Sequence, residues 1–81
     1  MKREEAVQVL RDIINVCAGN SMVVSSVFLI PPSNDSGITG YQLKIGTKLD
    51  YTCRMGLMPL LKKNELEMEE NEDHILIFKR Q

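Results

Sequence analysis

An acidic segment followed by the only histidine of the chain is its densest set of oxygen and nitrogen ligands. Acidic side chains dominate positions 65–73, and His74 follows at once. Calcium and magnesium prefer carboxylate oxygens, so Glu70, Glu72, Asp73 and His74 are the candidate ligands of a divalent cation. The glycine of an EF-hand bend is missing, and alternate glutamates of a strand lie about 6–7 Å apart. We therefore favour a solvated strand face, whose charge opposes edge-to-edge pairing of sheets, over a metal site.

Basic side chains are concentrated upstream, between positions 44 and 63, where Asp50 is the only acid. The cations of this stretch are Lys44, Lys48, Arg54, Lys62 and Lys63. They could follow a phosphate backbone, which makes a nucleic-acid-binding accessory module the alternative function. Tyr41 and Tyr51 do not fall beside these cations on an extended strand, and RNP-type signatures are missing. An ordinary basic surface that balances the acidic segment explains the same residues, since the net charge is −1.

The third candidate site is a set of apolar side chains. Met55, Leu57 and Met58 surround a glycine and precede a proline. Methionine suits adaptable binding surfaces because its side chain is unbranched and polarizable. Core filling is the simpler explanation of these residues; if they are exposed, they mark a contact for another protein or for a second copy of the chain. An edge strand of the sheet offers a second way to bind a partner, which would add its own strand to that edge. Our leading hypothesis is a small non-catalytic interaction module that binds a protein partner or forms a homodimer.

Catalytic motifs are missing from the sequence. It has one histidine, no G-x-S-x-G elbow, no glycine-rich phosphate loop and no H-E-x-x-H pair. Spacing leaves open a cysteine nucleophile beside His74, since such partners meet only in space. A chain of 81 residues has little volume for a deep pocket. We expect no enzyme activity and no cofactor.

The two cysteines, Cys17 and Cys53, match neither a C-x-x-C motif nor a zinc spacing. A disulfide would need their Cα atoms within about 7 Å, which spacing does not establish. We interpret them as buried thiols that act as small hydrophobes, in preference to a metal or redox role. The apolar segments are too short for a bilayer, and the first residues lack the apolar stretch of a secretion signal. These observations predict a cytoplasmic protein without a membrane partner.

Hydrophobic periodicity predicts the elements that position these side chains. Apolar residues recur at spacings of three and four over residues 3–18, which indicates a helix. Strands are predicted at 22–30, 41–46, 65–70 and 74–79, from β-branched composition or alternation. The Pro-, Ser-, Asn-, Asp- and Gly-rich segment 31–40 is the main loop between the first two strands.

The segment 47–54 allows two structures. Its odd positions continue the alternation of the preceding strand, but Thr47 or Asp50 could also cap a helix. Gly56 and Pro59 weigh against an unbroken helix, so we place a second helix within 51–63. The resulting order α-β-β-α-β-β predicts a small two-layer α+β domain spanning 1–81. Its mostly antiparallel four-stranded sheet carries two helices on one face.

Overall fold

The computed structural model describes residues 1–32 and 40–80. Its elements, in chain order, are α1 (Arg3–Val16), α2 (Ser21–Val24), β1 (Val27–Ile30), β2 (Gln42–Ile45), α3 (Tyr51–Lys63), β3 (Glu67–Glu70) and β4 (Ile75–Phe78). The predicted α+β class, the antiparallel sheet and the order of the main elements are confirmed, with α2 as an additional short helix. Most of the loop predicted at 31–40 falls on residues 33–39, which lie outside the described residues.

The described strands form one antiparallel sheet in the order β1-β2-β4-β3. Leu43 in β2 lies opposite Leu29 in β1 and Ile77 in β4, so these three share one face. Lys44, the next residue of β2, lies opposite Phe28 and is on the other face. Successive side chains of a strand point to opposite faces, and α1 packs on the face that carries Leu43.

The core lies between that face and the two long helices. From α1, Ala6, Val9 and Ile13 are buried, and from α3, Cys53, Leu57 and Leu61. Their spacings of three or four residues place each set on one side of its helix. Full burial of a large aliphatic side chain stabilises a fold by about 1.5–3 kcal/mol, so these two stripes hold the helices against the sheet.

The strand predicted at 22–30 needs correction in its first half. Ser21–Val24 is a helical turn, and the strand is only Val27–Ile30. The backbone N–H of Val23 donates to the side-chain oxygen of Asn20 at 3.2 Å, and this N-cap starts the helix. The β-branched composition favoured a strand, but the local cap overrides that propensity.

The ambiguous segment 47–54 does not continue strand β2: residues 47–50 are neither strand nor helix, and α3 begins at Tyr51. Asp50 occupies the N-cap position of α3 with an extended backbone, and the helix continues through both Gly56 and Pro59. Pro59 lies on an exposed part of the helix, away from the buried side. The packing of that buried side outweighs the roughly 3 kcal/mol cost of an internal proline.

Cys17 and Cys53 form a disulfide, so our interpretation of both as free thiols is wrong. Their Cα atoms lie 4.9 Å apart, because Cys17 directly follows α1 and Cys53 lies in the first turn of α3. Sequence spacing could not reveal this, since the contact depends on how the two helices pack. In the chain-entropy model, closing a loop of this length stabilises the fold by about 4 kcal/mol.

Among the helices of residues 1–32 and 40–80, none has the length and apolar character of a membrane-spanning segment.

Candidate functional site

The outward side of α3 is the candidate site. Tyr51, Met55 and Met58 are 75%, 51% and 53% exposed. Their spacings of four and three residues place them in one line, on the side opposite the buried Cys53 and Leu57. Exposed Lys62 continues this line after one further turn. We call Tyr51, Met55, Met58 and Lys62 the α3 stripe.

Leu57 does not belong to this surface. It is completely buried, because it lies four residues after Cys53 and four before Leu61 on the core side of α3. Leu57 was predicted with Met55 and Met58 because the three are close in sequence. In a helix, however, adjacent residues point to different sides, and residues three or four apart lie on the same side. The core-filling explanation therefore applies to Leu57, and Met55 and Met58 remain exposed.

Sequence reasoning also missed Tyr51 as part of the apolar surface. It lies four residues before Met55, a spacing that becomes informative once 51–63 is assigned as helix. Val16, at the end of α1, is partly exposed and lies against Gly56. Val16 is therefore a further exposed apolar side chain beside α3.

The N-terminal end of α3 is fixed by two links to the end of α1 and the segment that follows it. One is the disulfide between Cys17 and Cys53. The other is a hydrogen bond of 3.1 Å, in which Nδ2 of Asn20 donates to Oδ1 of Asp50. A surface on α3 is thus presented in a defined orientation, because a covalent bond and a hydrogen bond tie its first turn to the rest of the domain.

The charges of α3 are all positive. Its sequence, YTCRMGLMPLLKK, contains no Asp or Glu, and Lys62 and Lys63 lie in its last turn. Cations at this end are favoured by the partial negative charge of the helix C-terminus. Arg54 lies toward the sheet, where its Nη1 forms an ion pair with Oε1 of Glu70. The positive charge available to a partner is therefore at the C-terminal end of the α3 stripe.

The five basic residues proposed for nucleic-acid contact do not form one surface. Lys44 lies on the sheet face opposite α1, with Nζ 5.8 Å from the centroid of the Phe28 ring. Lys48 and Arg54 line a cavity of about 220 Å³ with Glu70, which neutralises part of their charge. Lys62 and Lys63 lie at the far end of α3. A phosphate backbone would have to bridge three separate locations.

The cavity beside Arg54 is small and open to solvent. Small-molecule pockets usually enclose about 300–1,000 Å³, more than the roughly 220 Å³ found here. The side chains of Arg54 and Glu70 are both more than one-third exposed, so their ion pair contributes at most about 1 kcal/mol. The cavity is a surface depression around an ion pair, and it is smaller than a typical small-molecule pocket.

The predicted metal ligands Glu70, Glu72, Asp73 and His74 do not converge. Glu70 is paired with Arg54, whereas Nδ1 of His74 lies 2.7 Å from Oδ1 of Asp73. The hydrogen bond from His74 lowers the pKa of Asp73 below its ordinary value. Throughout residues 1–32 and 40–80, no three His, Cys, Asp or Glu side chains form a group that could hold a metal ion. The side chains of Glu70, Asp73 and His74 therefore form local pairs and do not form a metal-binding site.

The two outer strands of the described sheet differ in charge. At one edge, β3 carries Glu67, Glu69 and Glu70, and acidic side chains oppose pairing with another strand. At the other edge, β1 has the uncharged sequence VFLI, in which Phe28 is exposed. Phe78, in the inner strand β4, is by contrast buried under Arg80, whose guanidinium carbon lies 5.1 Å from the ring centroid. The acidic edge is therefore a poor route for partner binding.

No known protein family, curated protein or solved structure matches this chain.

Proposed function

We propose that this chain is a small non-catalytic interaction module that binds a protein through the α3 stripe. The observation that carries the proposal is the row of large apolar side chains Tyr51, Met55 and Met58, all exposed on one side of a helix whose other side forms the core. Single exposed apolar residues are common on protein surfaces, but a contiguous row on one element is typical of a contact surface.

Burial of these three side chains by a partner would be energetically favourable. The core of the domain is complete without the three side chains, since Cys53, Leu57 and Leu61 already hold α3 in place. Full burial of a methionine side chain contributes about 1.5–3 kcal/mol, and because Met55 and Met58 are already about half buried, a partner would supply roughly half of that for each. Methionine can also adjust its rotamers to an irregular partner surface.

The alternatives that the sequence offered receive less support. Nucleic-acid binding requires Lys44, Lys48 and Lys62 to act together, and they lie in separate places. Divalent-metal binding requires convergent carboxylates, and Glu70 is occupied by Arg54. Binding through the β3 edge of the sheet meets acidic repulsion, and the uncharged β1 edge exposes one large apolar side chain, Phe28, whereas α3 exposes three.

The compartment is part of the same proposal. A cytoplasmic location was predicted from the short apolar segments and from first residues that lack the apolar stretch of a secretion signal, and Cys17 and Cys53 were interpreted as thiols in keeping with it. Disulfides persist in oxidising compartments and are rare in a reducing cytosol, so this pair favours an oxidising compartment. Alkylating thiols in intact cells before mass spectrometry tests this. A protein without adducts supports the oxidising compartment, and adducts on both cysteines would restore the cytoplasmic prediction.

Photo-crosslinking tests the contact surface. The chain would be produced in its native cells with a photoreactive methionine analogue, illuminated, and compared with the variants M55L/M58L and M22L. Met22 is the matched control, because it is 65% exposed but lies on α2. We expect protein adducts in the wild type and in M22L and a loss of adducts in M55L/M58L. Adducts that survive in M55L/M58L, or no protein adducts at all, would contradict the proposal.

A further inference from the structure

We propose that the protein bound by the α3 stripe is a second copy of this chain, with the two α3 helices antiparallel about a two-fold axis that passes between Gly56 and Leu57. This inference rests on the proposed function of the stripe as a contact surface. It adds the identity of the partner and the register of the contact.

The spacing of the exposed side chains is self-complementary. In an antiparallel two-fold pair of helices, a residue faces the residue that lies equally far from the axis on the other side. Met55 and Met58 lie equally far from the point between Gly56 and Leu57, and so do Tyr51 and Lys62. Met55 of one copy therefore packs against Met58 of the other, and Tyr51 packs against Lys62. All four members of the α3 stripe find a partner on the same helix of the second copy.

The charges of α3 select the antiparallel direction. Lys62 and Lys63 lie in the last turn, and α3 contains no acid that could neutralise them. A parallel pair would place the lysines of both copies together. An antiparallel pair separates them by roughly 16 Å along the interface, beyond the screening length of about 8 Å at physiological ionic strength. It also brings Lys62 opposite Tyr51 of the other copy, where a cation–π contact can form, and sets the two helix dipoles antiparallel.

The size of the contact predicts a weak dimer. A stable dimer usually buries about 800 Å² per partner. That is a large share of the 5209 Å² surface of this chain, and one helix side flanked by Val16 supplies less. We therefore expect a dissociation constant of about 10–100 µM. Such a dimer forms only at high local concentration.

Sedimentation equilibrium of the full chain tests the association. The wild type should pass from monomer to dimer between about 1 µM and 1 mM, and M55E/M58E should dimerise at least about 30-fold more weakly. M22E is the control, because it adds a charge at an exposed methionine outside the α3 stripe. It should dimerise like the wild type. Circular dichroism melts of the three proteins verify that each is folded.

A charge pair tests the register. In M55K/M58E, the antiparallel arrangement places each lysine against the glutamate of the other copy, whereas M55E/M58E places glutamate against glutamate. At low salt M55K/M58E should dimerise at least about tenfold more tightly than M55E/M58E, and about 1 M salt should remove most of the difference. A parallel arrangement would bring like charges together in both variants and give no difference.

The outcomes separate this inference from the proposed function. A wild type that is monomeric at 1 mM, an M22E variant that dissociates as M55E/M58E does, or equal affinities of the two double variants at low salt would each overturn it. Photo-crosslinks from Met55 or Met58 to a different protein, without an adduct of twice the 9.2 kDa chain mass, would also overturn it. In that last case the α3 stripe would remain an interaction surface.

Discussion

The backbone of α3 at Gly56 lies against Val16 of α1, so closely that a Cβ atom at position 56 would be 2.5 Å from Cγ1 of Val16. No ordinary carbon contact is that short, so the absence of a side chain at position 56 allows the two helices to pack. Alanine has a helix propensity about 1 kcal/mol better than glycine, so without Val16 the substitution would stabilise α3.

We predict that the clash outweighs the propensity gain and that G56A lowers the free energy of unfolding by about 1 kcal/mol. In the V16A background the same substitution should raise it by up to about 1 kcal/mol, because the obstructing methyl group is gone. Urea denaturation of wild type, G56A, V16A and V16A/G56A measures this cycle. A G56A variant that is equally stabilising in both backgrounds would contradict the described contact.

The neighbours Leu57 and Met58 should respond oppositely to substitution. Leu57 is completely buried, so L57A should lower the free energy of unfolding by about 2–5 kcal/mol. Met58 is exposed, so M58A should change it by less than about 0.5 kcal/mol. Urea denaturation at a concentration where the protein is monomeric gives both values. Similar losses in the two variants would mean that Met58 is also part of the core.

Reduction of the disulfide should destabilise the domain. Without the bond between Cys17 and Cys53, the unfolded chain regains the freedom of a long loop, and we expect C17S/C53S to lose about 2–4 kcal/mol. The wild type in dithiothreitol should show the same loss, measured by urea denaturation. Dithiothreitol should leave the stability of C17S/C53S unchanged. An effect of the reductant on that variant would show that it acts on something other than this bond.

The ion pair between Glu5 and Lys79 predicts a pH dependence of stability. Nζ of Lys79 donates to Oε2 of Glu5 at 2.8 Å, and this hydrogen bond lowers the pKa of Glu5 below its ordinary value of 4.5. A depressed folded-state pKa gives stability that is present above pH 4.5 and is lost as the pH falls through the folded pKa. E5Q should therefore be about 0.5 kcal/mol less stable than the wild type at pH 7 and equally stable in strong acid.

A double-mutant cycle isolates this pair. K79Q should remove the same stability as E5Q at pH 7, and E5Q/K79Q should add little to either single loss. Urea denaturation at neutral and at acidic pH supplies the values. If the two single losses add fully in the double variant, the two side chains do not interact.

The sequence predicted those elements whose signal is local and periodic. The stripe of Ala6, Val9 and Ile13 places α1 within two residues of its observed end, and the apolar run at Ile75 places β4. Two features escaped because their causes are not periodic. The cap formed by Asn20 starts α2 inside a β-branched segment, and the disulfide depends on the packing of helices that are distant in sequence.

Only part of the candidate site could be predicted from the sequence. Residue type identifies Met55 and Met58, but grouping Leu57 with them followed proximity along the chain and neglected the helix predicted within 51–63. Once 51–63 is helical, the spacing alone puts Leu57 with Cys53 and sets Tyr51 beside Met55. Pairing of Arg54 with Glu70 could not be predicted, because it joins a helix to a strand through three-dimensional packing.

The bond between Cys17 and Cys53 also closes a covalent ring that contains β1, β2 and the segment between them. A protease that cuts one peptide bond in that segment would leave two polypeptides still joined through sulfur. The nicked molecule would migrate as one species on a non-reducing gel and as two on a reducing gel. The N-terminal and C-terminal halves of this small domain therefore stay together even when the chain between them is severed.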